Sequence, residues 1–233
     1  MERRKQIVSN PVLKGVVFDM DGVIIESEFA HYQAICEAMG DEMKESYDTF
    51  LAKCTGSDEK YAMGRLAEFS GIKYDENLFQ EWSKRKANAL RRLVSEEAHP
   101  MPGAVDLVLS TAERFPIALA TGSRRSDVDA VLSFLAGGRL QNLFGSIVTS
   151  DDVPKTKPDP ATYAKAVVGI GLKPGDCLAI EDSPNGVASA KGAGLRVLGI
   201  SAIHNEEKLS QADWCLPSLE NATIDKLICL FEN

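Results

Sequence analysis

The sequence predicts an α/β fold: a three-layer core on a parallel sheet, interrupted by an all-helical insert. Three observations carry this. Val16-Val17-Phe18 is a short apolar run that stops at Asp19-Met20-Asp21-Gly22, the pattern of a buried strand ending in a polar turn. Residues 27–99 then show helical periodicity and no strand pattern. Beyond Pro100, apolar runs alternate with helical segments, which implies parallel strands joined by crossover helices.

The elements follow in order. A first strand is expected near Gly15–Phe18. The insert carries three apolar stripes at helical spacing: Tyr32, Ile35, Cys36 and Met39; Tyr61, Leu66 and Phe69; and Phe79, Trp82, Leu90 and Leu93 on one long helix. Further helices are expected near Gly103–Phe115, Ser126–Leu135, Pro158–Ile170 and Pro184–Ala193. Strands are expected near 117–120, 146–149, 177–181 and 196–200, with a short one near 214–216. Hinges are expected near Ile25–Ser27 and His99–Pro102, where Pro100-Met101-Pro102-Gly103 interrupts any helix. Residues 1–26 and 100–233 then make the core, and 27–99 the helical cap.

Composition narrows the function classes. Hydrophobic residues make up 44% and charged residues 26%, the balance of a soluble globular protein. A net charge of −8 gives no support to nonspecific nucleic-acid binding. No apolar stretch approaches the ~20 residues of a membrane span. The basic start, Met1-Glu2-Arg3-Arg4-Lys5-Gln6, lacks the apolar region of a secretory signal. The five cysteines, Cys36, Cys54, Cys177, Cys215 and Cys229, form no Cys-x-x-Cys pair, and Cys177 and Cys215 read as core fillers. A cytoplasmic protein with reduced thiols, free of membrane or nucleic-acid partners, is the expectation, a monomer first and a dimer as the alternative.

Asp19 and Asp21 set the chemistry. In isolation Asp-x-Asp-Gly is a turn or a helix cap. The later motifs decide otherwise. Ile117-Ala118-Leu119-Ala120 runs into Thr121-Gly122-Ser123, and Leu178-Ala179-Ile180 runs into Glu181-Asp182-Ser183, with Lys157-Pro158-Asp159-Pro160 between them. If the strands are parallel, these ends meet on one sheet edge, where open α/β sheets bind ligands. Two acids, a hydroxyl, a lysine and two more acids outline a phosphoryl-transfer site.

These four motifs, in this order, resemble those of the haloacid dehalogenase superfamily, across roughly residues 14–217. The resemblance implies a Rossmann-like core with a cap inserted between the first two motifs. It implies Asp19 as nucleophile, forming an aspartyl-phosphate, and Asp21 as general acid and base. It implies Mg2+ on Asp19, the Asp21 carbonyl and Asp182, with Glu181 binding directly or through water. Thr121 is expected to bond a phosphate oxygen, and Lys157 to neutralise charge on Asp19 and the phosphate. Met20, Gly22, Gly122, Ser123 and Arg124 in or beside the motifs, and Gly56 on the insert loop, are expected to line the phosphate and substrate site. The plainer alternatives are a strand-to-helix turn at Thr121-Gly122-Ser123 and a helix cap at Asp182 or Ser183. Lys155 reads as a surface lysine.

Lys86 lies on the apolar stripe of the long insert helix, so it either snorkels outward or points into a cleft. His31 follows Asp19 on the first insert helix. Both match positions of the β-phosphoglucomutase-like proteins, where the last lysine of a run like Lys84-Arg85-Lys86 and a histidine face the active site. Thr55-Gly56-Ser57-Asp58-Glu59-Lys60 departs from those mutases: acids stand where an arginine grips a second phosphate. Lys60 is displaced and ill suited to bidentate contact. A magnesium-dependent phosphatase of a small phosphorylated metabolite, a sugar or polyol phosphate, is the expected function. A β-phosphoglucomutase is the rival, and a non-catalytic phosphometabolite-binding regulator the more distant one. A haloacid dehalogenase is disfavoured, because those members need no metal and lack an acid in the role of Asp21.

Overall fold

Strands β1 (Gly15–Phe18), β2 (Ile25–Glu26), β3 (His99–Pro100), β4 (Ile117–Ala120), β5 (Phe144–Val148), β6 (Cys177–Glu181), β7 (Arg196–Ile200) and β8 (Trp214–Leu216) belong to two sheets. The computed structural model describes residues 12–54, 58–97, 99–202 and 204–232. Six strands form one parallel sheet in the order β5-β4-β1-β6-β7-β8. The chain builds outward from β1 on one side and then returns to the other. The carboxyl end of β1 is therefore the crevice where such sheets place ligands.

The alternation within each run sorts side chains onto two faces. Val16 and Phe18, Ile117 and Leu119, and Leu178 and Ile180 fill one core layer. Val17, Ala118 with Ala120, and Cys177 with Ala179 fill the other. Helices α1 (Glu28–Met39), α2 (Tyr47–Lys53), α3 (Glu59–Ser70) and α4 (Glu76–Glu97) form the insert. Helices α5 (Ala104–Ala112), α6 (Arg125–Phe134), α7 (Ala161–Gly169), α8 (Pro184–Gly192) and α9 (Ile224–Glu232) belong to the sheet core. Helices α5, α6 and α9 cover the large-residue face through Leu107, Val131 and Leu227, and α7 and α8 cover the alanine face through Tyr163, Val167 and Val187. Each such fully buried side chain contributes roughly 1.5–3 kcal/mol.

The insert has its own core of Ile35, Met39, Phe50, Met63, Leu66 and Trp82. It is also continuous with the sheet core through Ala30, Ala34, Leu90 and Leu93. Its two connections pair as a short antiparallel ladder, Ile25 opposite Pro100 and Glu26 opposite His99. Two-residue strands are too short to show a period, so the sequence gives no warning of them.

Four expectations change. Strand β5 starts at Phe144, two residues before the expected 146–149. Helix α7 begins at Ala161, not Pro158. Pro158 and Pro160 lack N–H groups, and the helix opens where the Ala161 N–H finds Asp159 Oδ1 at 3.0 Å. Tyr61 and Phe69 do not bury: they are 54% and 39% exposed, while Ala62, Met63, Leu66 and Ala67 face inward. The two alanines let α3 approach its neighbours closely, and Phe69 lies under the Arg65 guanidinium, 4.7 Å away. Cys215 is only half-buried on edge strand β8, whereas Cys177 is fully buried. Helix α9 lies beyond the expected elements, although Ile224, Leu227, Ile228 and Phe231 carry a helical stripe.

Candidate active site

The carboxyl ends of the central strands deliver polar side chains to one edge of the sheet. Asp19 follows β1, Thr121 follows β4, Glu181 ends β6, Asp182 follows it, and Lys157 stands in the loop between β5 and α7. Asp19, Thr121, Lys157 and Asp182, together with Asp21, Gly122, His31 and Lys86, line a cavity of about 100 Å³ between the sheet edge and the insert.

Lys157 Nζ lies 2.9 Å from Asp19 Oδ1 and 2.6 Å from Glu181 Oε1, and all three groups are buried. The opposing charges hold Lys157 protonated against its burial. Glu181 is held by hydrogen bonds on both oxygens. Its Oε1 also accepts from Tyr163 Oη at 3.1 Å, and its Oε2 from the Asp182 and Ser183 N–H groups at 2.9 Å and Ser183 Oγ at 3.1 Å. The lysine and these hydrogen bonds hold it ionised despite burial. Burial and the Glu181 charge push Asp19 upward, and burial, Glu181 and Asp19 push Asp182 upward.

Ligand oxygens of Asp19, Glu181 and Asp182 lie within 4.8 Å of one another. Three buried carboxylates thus share one ammonium, and their donors are hard oxygens. That set fits a divalent cation of the magnesium type. The helix-cap alternative falls to Ser183, whose Oγ accepts from the Gly186 N–H at 3.1 Å, with Pro184 in the first turn. Asp182 is left to face the cavity.

Asp21 has different company. Its Oδ1 accepts from Ser27 Oγ at 2.5 Å and lies 3.3 Å from His31 Nε2; its Oδ2 accepts from Ser123 Oγ at 2.7 Å. Burial opposes its charge, but His31, Ser27 and Ser123 prevail and hold it well below the usual carboxylate range. For His31, burial and Lys86 disfavour the charged form, and the Asp21 contact outweighs them and raises its pKa.

The remaining expected residues divide. Thr121 and Gly122 face the cavity, and no protein atom stands within 4 Å of where a Gly122 Cβ would sit. Ser123 spends its hydroxyl on Asp21. The Met20 N–H goes to Asp19 Oδ1 at 2.7 Å, and the Gly22 N–H closes a turn onto the Ile25 carbonyl at 2.9 Å. Arg124 is not brought into the cavity. It turns to Asp151, with Nε 3.1 Å from Oδ1, donates to Ser83 and covers Phe79, lining an outer groove between insert and core. Lys155 is exposed as expected. Gly56 lies outside the described residues.

Lys86 does not snorkel. It is 2% exposed, with Nζ 2.8 Å from Glu59 Oε2 and 2.5 Å from Asp127 Oδ2. Sequence reasoning passed over Ser27, Glu28, Asp127, Thr156 and Tyr163. Ser27 sits at the helix-cap position of α1 but makes no capping bond, because its hydroxyl goes to Asp21. Glu28 lines the cavity, and burial lifts its pKa to about 7.

A family model for haloacid dehalogenase-like hydrolases matches residues 13–194. The chain belongs to that family. Protein CbbY of Rhodobacter capsulatus is 34% identical to this hydrolase over 218 residues, covering 90% of this chain and 95% of the relative. The fructose-1-phosphate phosphatase YqaB of Escherichia coli is 28% identical over 186 residues, covering 80% and 95%. A crystal structure of mutant CbbY from Rhodobacter sphaeroides with xylulose-(1,5)bisphosphate superposes on this hydrolase with a TM-score of 0.84 at 25% identity, covering 92% of this chain and 99% of the other. The subfamily expected from the motifs, with a helical insert on a parallel core, is therefore the right one, and phosphatases recur among its relatives. Among the described residues, no helix of this hydrolase is long and apolar enough to cross a membrane.

Proposed function

We propose that the chain is a magnesium-dependent phosphatase that hydrolyses a small phosphorylated sugar or polyol through an aspartyl-phosphate. The observation that carries this is the separation of the two acids of the first motif. Asp19 is held by Lys157 beside Asp182, while Asp21 is turned to Ser27, Ser123 and His31. One carboxylate is set to attack and the other to carry protons. The sugar-phosphate phosphatases among the relatives support the substrate class.

Asp19 attacks phosphorus with a carboxylate oxygen, and the bond from phosphorus to the ester oxygen breaks. Asp21, with His31 Nε2 against it, passes a proton to the leaving oxygen. Asp21 then takes a proton from the water that attacks the aspartyl-phosphate, and the bond between phosphorus and the Asp19 oxygen breaks. Phosphate leaves with Asp19 restored. Lys157 balances charge on Asp19 and phosphate, and Thr121 and Gly122 receive the phosphate oxygens. Asp19, Asp182 and the Asp21 carbonyl, with Glu181 alongside, would hold a magnesium ion, which would offset repulsion between the two anions. Residues 27–99 serve as the cap, and 1–26 with 100–233 as the core that carries the chemistry.

A screen of phosphate esters with magnesium tests this, with the Asp19→Asn protein as blank. Inorganic phosphate is expected from sugar and polyol monophosphates, and none from the folded variant or after chelation. Hydrolysis surviving in Asp19→Asn, or conversion of β-glucose 1-phosphate to glucose 6-phosphate without phosphate release, would overturn it. The second result establishes the mutase instead.

A further inference from the structure

The amino end of α3 opens onto the seam between insert and core. A helix amino end is a ready anion site, with free N–H groups and the positive end of the dipole. Here the chain fills it with its own carboxylate. Asp58 Oδ1 accepts from the Tyr61 N–H at 2.8 Å, and Oδ2 accepts from Thr156 Oγ1 of the core at 2.9 Å. Asp58 and Thr156 both line the cavity and the outer groove, so this carboxylate stands where the two spaces meet.

An independent observation concerns the cations at that end. Lys86 is held between Glu59 and Asp127, so two negative charges answer its one. Ser83 Oγ donates to the other Glu59 oxygen at 2.5 Å, which fixes the arrangement. His31 Nε2 lies 3.3 Å from Asp21 Oδ1. Beyond Asp19, Asp21, Asp182 and Lys157, the cavity lining offers Glu28, Asp58, Glu59 and Asp127 against Lys86 and His31.

We propose that Asp58, backed by the Glu59–Lys86–Asp127 cluster, is a specificity-determining residue that restricts the enzyme to esters with one phosphate. The carboxylates accept hydrogen bonds from the hydroxyls of a neutral leaving group, and they repel a second phosphate. This role of Asp58 rests on the phosphatase reading above.

The experiment compares kcat/KM for a hexose 6-phosphate and the hexose 1,6-bisphosphate in the natural chain, Asp58→Asn and Asp58→Lys. Asparagine keeps the cap and the contact with Thr156 but removes the charge. Selectivity is a ratio within one preparation, so partial unfolding leaves it unmoved. The natural chain is expected to favour the monophosphate at least tenfold, about 1.4 kcal/mol. Asp58→Asn is expected to narrow the ratio at least threefold, and Asp58→Lys further. Calorimetric binding of both sugars to the Asp19→Asn protein is expected to show the same order. Equal or better use of the bisphosphate by the natural chain, or a ratio unmoved by both substitutions, would overturn the proposal while leaving the phosphatase reading intact. Hydrolysis of neither sugar, nor of any other monophosphate, would sink the phosphatase reading first.

Discussion

Lys157 Nζ is closer to Glu181 Oε1, at 2.6 Å, than to Asp19 Oδ1, at 2.9 Å. The lysine is thus anchored by the acid at the end of β6 and presented to the acid after β1. It couples two neighbouring strands of the sheet as well as their charges.

Replacing it tests that coupling. Lys157→Met keeps the stem and removes the charge, leaving buried carboxylates without their cation. Breaking such a pair costs about 3 kcal/mol or more. Lys157 lowers the pKa of Glu181, so its contribution is present above the ordinary carboxylate range and fades as pH falls through the folded pKa. Urea unfolding without divalent cation is expected to show a large loss at pH 8 and a smaller one at pH 4. Equal losses at both would show that Lys157 acts through packing alone.

Two glycines make opposite predictions. A Cβ on Gly186 would stand 1.6 Å from Glu181 Oε1, inside the carboxylate itself. Gly186→Ala, which in an open helix would gain about 1 kcal/mol, is expected to lower Tm and weaken magnesium binding by displacing Glu181. A Cβ on Gly122 meets no protein atom within 4 Å but projects at the cavity. Gly122→Ala is expected to leave Tm within a degree or two and to raise KM. Melting curves and steady-state kinetics on both variants check the contrast; a Gly122→Ala protein with unchanged KM would remove that residue from the phosphate site.

The core of the fold was legible because it repeats one simple device. An apolar run ending in polar residues marks Asp19, Thr121 and Glu181 alike, and parallel pairing brings those ends together without further information. Asp127 was not legible. It lies in the first turn of α6, where an acid is ordinary helix chemistry, and its meaning depends on Lys86, placed opposite by tertiary packing. Ser27 was hidden by its helix-cap position. Arg124 misled because a cation beside a phosphate motif suggests contact, whereas Asp151, Ser83 and the Phe79 ring draw it outward. Charge partners across an insert–core seam have no sequence period.

The Asp21–His31 contact predicts a coupled titration. His31 holds Asp21 low, and Asp21 holds His31 high. The Asp21 contribution to stability is present above its unfolded pKa, about 3.9, and is lost as pH falls through the depressed folded value. The His31 contribution is full below its unfolded pKa, about 6.5, and is lost as pH rises through the raised one. His31→Asn is therefore expected to raise the Asp21 pKa and to move the acid limb of the kcat/KM profile to higher pH. Carboxyl-carbon NMR titration reads the first effect directly. An unmoved Asp21 would leave Ser27 and Ser123 as its only effective partners.

Glu28 carries the opposite sign. Its folded pKa is raised by burial from 4.5 to about 7, so between those values the native state holds a proton that the unfolded chain has lost. Stability on this account falls as pH rises through that window and is lowest above it. Glutamine has the same shape and no charge, so Glu28→Gln is expected to match the natural chain at pH 4 and to exceed it by about 3 kcal/mol at pH 8. Asp21 also raises Glu28, while His31 and Lys86 lower it, so added positive charge in the cavity favours its ionised form. Magnesium is therefore expected to narrow the gap at pH 8. Denaturant unfolding at the two pH values, with and without magnesium, separates these effects; a gap of equal size at pH 4 would show that Glu28 costs stability through its shape and not its charge.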